Sequence, residues 1–418
     1  MVSSSLSRTG TTAWMVWAVA SVFYAYQYIL RVMPSIMLND ILQQFRIDAA
    51  AFGQFSGVYY IGYSLMHLPI GLMLDRFGPR KIMSGCILLT GVGLLPLVFA
   101  EHWAYPIIGR ILVGMGSSAA ILGVFKIIRM TFSEKRFPRM LSFSVTIGLI
   151  GAIYGGAPVS FMRDAFGFQT VALIFAGAAI LLAAATYWIV PDLSSPVRSS
   201  VFSDVKAVLK NRRVVLTCLF AGLMVGPLEG FADVWGTTFL KKVYGFEGTV
   251  AASLPSTIFI GMCFGAPVLT WIGDRIGSYL TAIIGAGAAM AAVFFALLAF
   301  PIGTGLLAAC FVLVGVCCAY QILAIYKAST YVGEEAAGLT TALANMIIMM
   351  FGYAFHTLIG ALVQTMGGAD HPQALVCGVA VIPICLAAGI GGFVYLHINE
   401  QRKSNETSIR KQISGSLK

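Results

Sequence analysis

The sequence predicts an all-α membrane protein in which twelve transmembrane helices form two six-helix halves. Hydrophobic residues occupy 58% of the 418 positions and charged residues only 11%, a composition whose apolar surface no soluble globular protein could bury. Apolar stretches of about 20 residues, the length that crosses a bilayer, can be counted twelve times. One longer polar segment separates the first six stretches from the last six.

Each apolar stretch ends at polar, charged, Gly or Pro residues, which places its limits to within a few positions. The predicted spans cover 14–37, 52–74, 82–100, 104–126, 140–160, 170–190, 214–240, 250–272, 279–300, 303–326, 337–362 and 374–397. Because the number of spans is even, both termini are expected on the same side of the membrane.

The longest polar interruption runs from 191 to 213 and contains Pro196, four serines up to Ser200 and a basic end. We therefore expect an N-terminal half at 1–190, a linker at 191–213, a C-terminal half at 214–400 and a tail at 401–418. Within the linker, 201–210 fits a short amphipathic helix on the inner membrane surface. Two halves of six spans are typical of transporters built from repeats related about an axis along the membrane normal.

The basic residues behind the formal net charge of +10 are distributed as the predicted topology requires. Twenty of the 27 Lys and Arg residues fall on the side of the two termini, whereas the opposite loops hold only Arg46, Arg163, Lys241 and Lys242. Positive residues concentrate on the cytoplasmic side of membrane proteins. We therefore expect cytoplasmic termini, a bacterial inner (plasma) membrane location and no nucleic-acid partner.

The sequence shows no pattern typical of an enzyme or of a metal site. None of the eight cysteines has metal-ligand spacing with histidines, and no catalytic triad or phosphate-binding loop stands out. We predict no catalytic residues, no cofactor and no bound metal. The expected partners are the lipid bilayer, a small-molecule substrate and protons, with the chain acting as a monomer.

A short charged turn separates spans 2 and 3 and reads P-I-G-L-M-L-D-R-F-G-P-R-K. We expect Asp75 to lie at the inner end of span 2, in contact with the start of span 4 or the end of span 11, and to keep the inner side closed. The residues predicted to form this gating motif are Gly71, Asp75, Arg76, Gly78, Arg80 and Lys81, with a weaker second copy at Asp274 and Arg275.

Span 1 carries a polar aromatic stripe on an otherwise apolar helix. The stripe follows helical three- and four-residue spacing, so its members share one face; they are Tyr24, Gln27, Tyr28, Arg31 and Ser35. A charge inside a membrane span is costly unless it faces a cavity or a partner. The stripe therefore indicates either a helix that lines a watery cavity or a network of interhelical hydrogen bonds.

Span 7 supplies charges of the opposite sign. Glu229 and Asp233 lie four residues apart and hence on one helical face. They stand 15 and 19 residues into span 7, and Arg31 stands 17 residues into span 1. At this matched depth we predict that Arg31 faces both acids in the substrate site, and that the acids carry the coupled protons because one negative charge is in excess. A purely structural salt bridge is the alternative.

Four further residues are candidates for lining the substrate cavity, and one histidine is a candidate proton carrier. The cavity candidates are Lys126, Tyr320, Asn345 and Tyr353. Lys126 lies one turn inside a basic loop, so its ammonium group could instead extend to the inner surface. His356 is the proton candidate, and a hydrogen-bonded core histidine is its alternative.

The charged turn resembles the loop between helices 2 and 3 of the major facilitator superfamily, although the family usually carries Arg where this chain has Pro79. Further matching segments are Y-x-x-R-V-x-P-S in span 1, L-D-R-F-G-P-R after span 2 and G-M-G-S-x-x-x-x-L-G-x-x-K in span 4. They are similar to the phagosomal nutrient transporters of intracellular bacteria and to the related lysosomal dipeptide transporters of animals. The resemblance implies the major facilitator fold, proton coupling, and amino acids, small peptides or nucleosides as cargo.

A second resemblance is to the organic-anion symporters, which also have a first-helix Arg followed by Ser. Those proteins typically carry an Asp just before that Arg and a Glu in span 4, whereas Leu30 and Ser117 stand at these places here. Arg110 resembles the superfamily's fourth-helix Arg, whose role is structural or coupling.

Together these features predict a secondary active transporter that works by alternating access and imports a small zwitterion, such as an amino acid or short peptide, with protons. An organic-anion or sugar-acid symporter and a nucleoside symporter are the alternatives. A drug exporter is less in keeping with the sequence, because it would have an oilier cavity without Arg31 opposite Glu229.

Overall fold

The computed structural model describes residues 10–191 and 201–416, and these residues form helices and connecting turns without strands. Eleven of the described helices are long and apolar enough to cross a membrane. The helix Ala49–Phe77, 29 residues long, is also of spanning length and coincides with the predicted second span. Its three tyrosines and one histidine make it the least apolar of the set. With it, the described residues contain the predicted twelve helices of spanning length.

We number the membrane helices in chain order. They are α1 Gly10–Val32, α2 Ala49–Phe77, α3 Pro79–Phe99, α4 Ala104–Thr131, α5 Arg139–Phe166, α6 Phe168–Ile189, α7 Arg212–Lys242, α8 Gly248–Ile276, α9 Tyr279–Ala299, α10 Thr304–Ser329, α11 Glu334–Thr365 and α12 Pro372–Ser416. Successive helices alternate in direction. We call the end of the bundle where α1 begins and α12 ends the terminal side, and the opposite end the far side.

The linker and the tail differ in part from the sequence prediction. Val201–Lys210 forms the predicted short helix, while the linker residues 192–200 lie outside the described residues. α7 already begins at Arg212, inside the predicted linker. The predicted tail is largely a continuation of α12, which runs on to Ser416 because no Pro or Gly breaks the helix where the apolar stretch ends.

The two halves meet through two equivalent pairs of helices, α2 with α11 and α5 with α8. Glycines let the backbones of α2 and α11 touch: a Cβ on Gly53 would lie 2.4 Å from the carbonyl oxygen of His356. Nearer the helix ends, the Ala49 amide donates a hydrogen bond to the Gln364 side chain at 3.2 Å. These contacts belong to the far-side portions of both helices, so the far side is closed between the halves.

Several predicted spans are not continuous α-helices. α4 is interrupted at Ser118, α5 at Gly155 and Gly156, and α10 at Ala319. α7 differs most from a continuous α-helix, because its segment Gly226–Trp235 forms a π-helix. π-Helical segments are rare and are found frequently at functional sites. The segment starts at a Gly-Pro pair, where proline removes one donor from the helical ladder.

Candidate functional site

Arg31 of α1 forms ion pairs with both Glu229 and Asp233 of α7. Its Nε atom lies 2.5 Å from Asp233 Oδ2, and one of its terminal nitrogens contacts Glu229 Oε2. Both carboxylate side chains are fully buried, and the Arg31 side chain is 8% exposed. The predicted meeting of one cation and two acids at matched depth is confirmed. Because α1 and α7 belong to different halves, these ion pairs cross the boundary between them.

Tyr60 of α2 completes the cluster, and the sequence analysis did not identify it. Its hydroxyl group contacts Glu229 Oε2 and Asp233 Oδ2. A phenol has one proton, so it can donate to only one of two ionised carboxylates. Tyr60 lies about 16 Å along α2 from its far-side end. The available signal was a run of tyrosines on the least apolar span.

The predicted stripe on α1 faces this cluster. The Arg31 guanidinium lies between two aromatic rings, 5.2 Å from the centre of Tyr28 and 5.3 Å from that of Tyr60. Tyr24 packs edge-on against Tyr28. Gln27 accepts a 2.8 Å hydrogen bond from the Tyr59 hydroxyl. The rings of Tyr28 and Tyr60 therefore restrict the direction of the Arg31 side chain.

Arg110 of α4 is a second buried cation beside the cluster. It donates hydrogen bonds to the carbonyl oxygens of Leu30 at 2.7 Å and Arg31 at 3.0 Å, and its guanidinium lies 4.7 Å from the Tyr59 ring centre. The sequence predicts one excess negative charge, and Arg110 corrects this prediction, since two cations accompany the two acids. Of these two cations, Arg31 contacts the carboxylates, whereas Arg110 is bound to the backbone of α1.

The two acids reach the same partners from a π-helix rather than from the α-helix that their four-residue spacing predicted. The ring nitrogen Nε2 of His356, on α11, contacts the carbonyl oxygen of Glu229. His356 therefore bonds to the backbone of α7, as the core-histidine alternative expected. Its predicted role in carrying protons stays a prediction.

Among the described residues, the remaining cavity candidates form no hydrogen bond or ion pair with Arg31, Glu229 or Asp233. The Tyr320 hydroxyl donates to the Ala221 carbonyl oxygen at 2.7 Å, so it supports the α7 backbone, and its place in a cavity stays a prediction. Tyr353 lies beside Gly57 of α2 in the seam between the halves. Asn345 lies about 16 Å along α11 from His356 toward the terminal side, too far to join the cluster.

Lys126 does not lie at the predicted substrate site in this conformation. Its ammonium group is 2.7 Å from Asp75 Oδ1, near the terminal-side ends of α4 and α2. It stands about 24 Å along α4 from Arg110, so it cannot touch a ligand held by Arg31. The contact with Asp75 agrees better with the alternative prediction, in which the Lys126 ammonium group extends toward the inner surface.

The partner of Asp75 also corrects the prediction for the charged turn. Asp75 was expected to contact the start of span 4 or the end of span 11, but those ends lie on the far side. α2 and α4 run in the same direction, so the end of α2 meets the end of α4 and Asp75 pairs with Lys126. Asp75 is about half exposed.

The other gating residues make local contacts. Gly78 has a φ of 81°, which L side chains rarely adopt, and this explains the glycine between α2 and α3. Arg80 lies over the Tyr187 ring, Arg76 over Phe77 and Arg275 over Trp271, while Asp274 accepts a hydrogen bond from Tyr279. Nothing packs closely against Gly71, and Lys81 lies in the first turn of α3.

Two carboxylate oxygens of the cluster are available to bind a further group. Among the described residues, Glu229 Oε1 and Asp233 Oδ1 have no hydrogen-bond partner although both are buried. Buried carboxylate oxygens without a donor are costly, so each favours a proton, an ammonium group or an ordered water. The arrangement offers a guanidinium for an anion and two carboxylate oxygens for a cation.

The profile of the Major Facilitator Superfamily matches residues 15–357 of this chain. The uncharacterized transporter YybO of Bacillus subtilis is 23% identical over 269 residues, which cover 59% of this chain and 61% of YybO. A quinolone resistance transporter of Acinetobacter baumannii is 21% identical over 258 residues, covering 55% of this chain and 59% of the relative. The chain thus aligns with less than two thirds of the length of these relatives.

A crystal structure of the nucleoside transporter NupG superimposes with a TM-score of 0.73 at 14% identity, covering 91% of this chain and 99% of NupG. At that identity the likeness concerns the fold. The family profile spans most of the sequence. The chain therefore belongs to the major facilitator superfamily of membrane transporters.

Proposed function

We propose that this chain is a secondary active transporter that imports a small zwitterion, such as an amino acid or short peptide, with protons. The observation that carries the proposal is the buried cluster of Arg31, Glu229 and Asp233, which joins the two halves and keeps two carboxylate oxygens without a partner. The sequence resemblance to phagosomal nutrient transporters and lysosomal dipeptide transporters is the second reason for proposing this substrate class.

The charges of the cluster complement a zwitterion. A substrate carboxylate would replace one acid on Arg31, because a guanidinium binds carboxylates through two parallel hydrogen bonds. The substrate ammonium group would then bind the unpartnered oxygen of Glu229 or Asp233. A simple anion fits less well, because Arg110, the second buried cation, is already bound to the carbonyl oxygens of Leu30 and Arg31.

Proton coupling follows from the same exchange of partners. When Arg31 turns to the substrate, it leaves two buried carboxylates, of which the ammonium group neutralises one. An unpaired buried carboxylate is expensive, so the acid that is left without a positive partner would favour a proton. Tyr60 contacts both acids and could donate to whichever one stays ionised.

Alternating access requires that the cluster form and break with the movement of the halves. Its members come from α1 and α2 in one half and from α7 in the other, on the closed far side. Substrate and proton would weaken the direct ion pairs, and the halves could then separate on the far side. The Asp75–Lys126 pair joins α2 to α4 within the N-terminal half, so its proposed part in gating is to hold the charged turn in place on the terminal side.

The terminal side is proposed to face the cytoplasm of a bacterium, with the chain in the inner membrane, because positive residues concentrate on that side. An Arg46→Cys variant should react with a membrane-impermeant maleimide from outside intact cells. The control Arg76→Cys, which is exposed on the terminal side, should react only after the membrane is opened. Reaction at position 46 from the cytoplasmic side alone would overturn the orientation.

A thermal-shift screen of purified protein tests the substrate class. Amino acids, dipeptides, nucleosides and sugar acids would be compared, because a bound ligand stabilises the folded state by about 2.7 kcal/mol at one hundred times its Kd. We expect zwitterions to raise the melting temperature of the wild type and of Lys242→Gln, a control in an exposed pair, by more than that of Arg31→Lys. Stabilisation by sugar acids or nucleosides alone would contradict the proposal.

A further inference from the structure

The π-helix Gly226–Trp235 lies in the part of α7 that carries both acids. In a π-helix each backbone N–H bonds to the carbonyl five residues earlier instead of four. Such segments are usually single-turn bulges, whereas this one covers ten residues inside the protein. A segment of this length in a rare form indicates that a neighbouring group stabilises it.

His356 is that neighbouring group. Its Nε2 atom contacts the carbonyl oxygen of Glu229. A carbonyl oxygen only accepts hydrogen bonds, so Nε2 carries the proton and donates. A side-chain donor at a helix carbonyl competes with the helix N–H for that acceptor and locally widens the helix. The His356 side chain therefore favours the π form at the residue that bears one of the carboxylates.

His356 also touches the opposite half of the protein. The ring of Tyr60 packs edge-on against the His356 ring, with 5.3 Å between ring centres. The Tyr60 hydroxyl contacts both acids of α7. One face of His356 thus meets a residue that would move away with the N-terminal half, while its Nε2 atom holds the backbone of α7.

We propose that His356 is a positioning residue that keeps α7 in the π form while the far side is closed. When the halves separate there, Tyr60 leaves the His356 ring, His356 releases the Glu229 carbonyl oxygen and α7 tightens to an α-helix. The angle between the two carboxylate side chains then changes, so they no longer converge on Arg31. The inference rests on the proposed function for its place in transport, but its test needs no substrate, so the two can fail separately.

The end-to-end length of α7 reports its helical form. Converting two turns of π-helix to α-helix lengthens it by roughly two residue rises, about 3 Å. Spin labels would be attached at Arg212→Cys and Lys241→Cys, which are exposed near the two ends of α7. The remaining cysteines would be replaced, and the distance would be measured by double electron–electron resonance on the full chain in lipid nanodiscs.

Two matched pairs of variants distinguish the effect of the N–H donor of His356 from the effect of its contact with the Tyr60 ring. His356→Gln keeps an N–H donor of similar reach, so it should keep the wild-type distance, whereas the shorter His356→Asn should lengthen it by about 3 Å. Tyr60→Phe keeps the ring against His356 and should keep the distance, whereas Tyr60→Leu should lengthen it.

An unchanged distance in His356→Asn, or equal distances in His356→Asn and His356→Gln, would overturn the positioning role. An unchanged distance in Tyr60→Leu would overturn the link to closure of the far side. If the His356 variants do not fold, the Tyr60 pair still decides, because equal distances in Tyr60→Phe and Tyr60→Leu contradict the proposal.

Discussion

Arg31 and Asp233 form a buried ion pair, 2.5 Å from Nε to Oδ2, between the first helices of the two halves. They are 202 residues apart in the sequence, yet each lies in the span that begins its half. Removing one partner of a buried pair leaves an uncompensated charge, which costs about 3–5 kcal/mol. A ligand that breaks the pair must therefore replace both charges.

Arg31→Lys should weaken substrate binding while retaining the charge. Lysine keeps the positive charge but loses the planar pair of N–H donors that binds a carboxylate. The loss of a charge-assisted hydrogen bond, about 1.5–3 kcal/mol, corresponds to roughly a 10- to 150-fold weaker Kd. Titration calorimetry with the ligand found in the thermal-shift screen measures it. A Kd equal to that of the wild type would leave Arg31 as a structural partner.

Tyr60→Phe should lower the melting temperature and weaken binding, because both acids lose the hydroxyl that contacts them. We expect a loss of about 1.5–3 kcal/mol in the free energy of unfolding, the usual range for a hydrogen bond to a charged group. Tyr63→Phe is the matched control, since Tyr63 stacks on Tyr59 about one turn along the same helix. Equal melting temperatures for the two variants would contradict the bridging role.

Asp75→Asn should slow transport without lowering the amount of folded protein. Its ion pair with Lys126 is about half exposed on the Asp75 side, so it contributes less than about 1 kcal/mol to stability. The effect should therefore appear in the transport rate and not in the melting temperature. Asp370→Asn, which breaks an exposed pair on the far side, is the control. Normal transport rates at normal protein levels would remove the gating role from Asp75.

The Lys242–Asp370 pair should give a small, pH-dependent stabilisation. The hydrogen bond from Lys242 holds the pKa of the Asp370 carboxyl below its ordinary value. A lowered carboxyl pKa stabilises the fold at pH values above the ordinary value, and this contribution is lost as the pH falls through the lowered pKa. Lys242→Gln should thus lower the melting temperature slightly at pH 7, by less than about 1 kcal/mol of stability. A difference between the two proteins that does not shrink as the pH falls below the ordinary aspartate pKa would contradict this account.

The spans, the two halves and the Arg31 contacts could be predicted because apolar length and the cost of a buried charge are readable along the chain. Tyr60 could not, since a tyrosine in a span usually indicates packing and its partners lie in the other half. The π-helix depends on His356, which approaches from α11 and leaves no local signal in α7. The pairing of Lys126 with Asp75 depends on the relative direction of α2 and α4, which the local sequence does not show.

Proton uptake driven by substrate tests the central proposal most directly. Proteoliposomes that contain a pH-sensitive dye would receive the ligand found in the thermal-shift screen, and the exchange of radiolabelled ligand would be measured in parallel. The wild type should acidify the lumen on adding ligand, whereas Glu229→Gln and Asp233→Asn should exchange ligand without moving protons. If both variants acidify the lumen like the wild type, these acids do not couple protons and the central proposal is wrong.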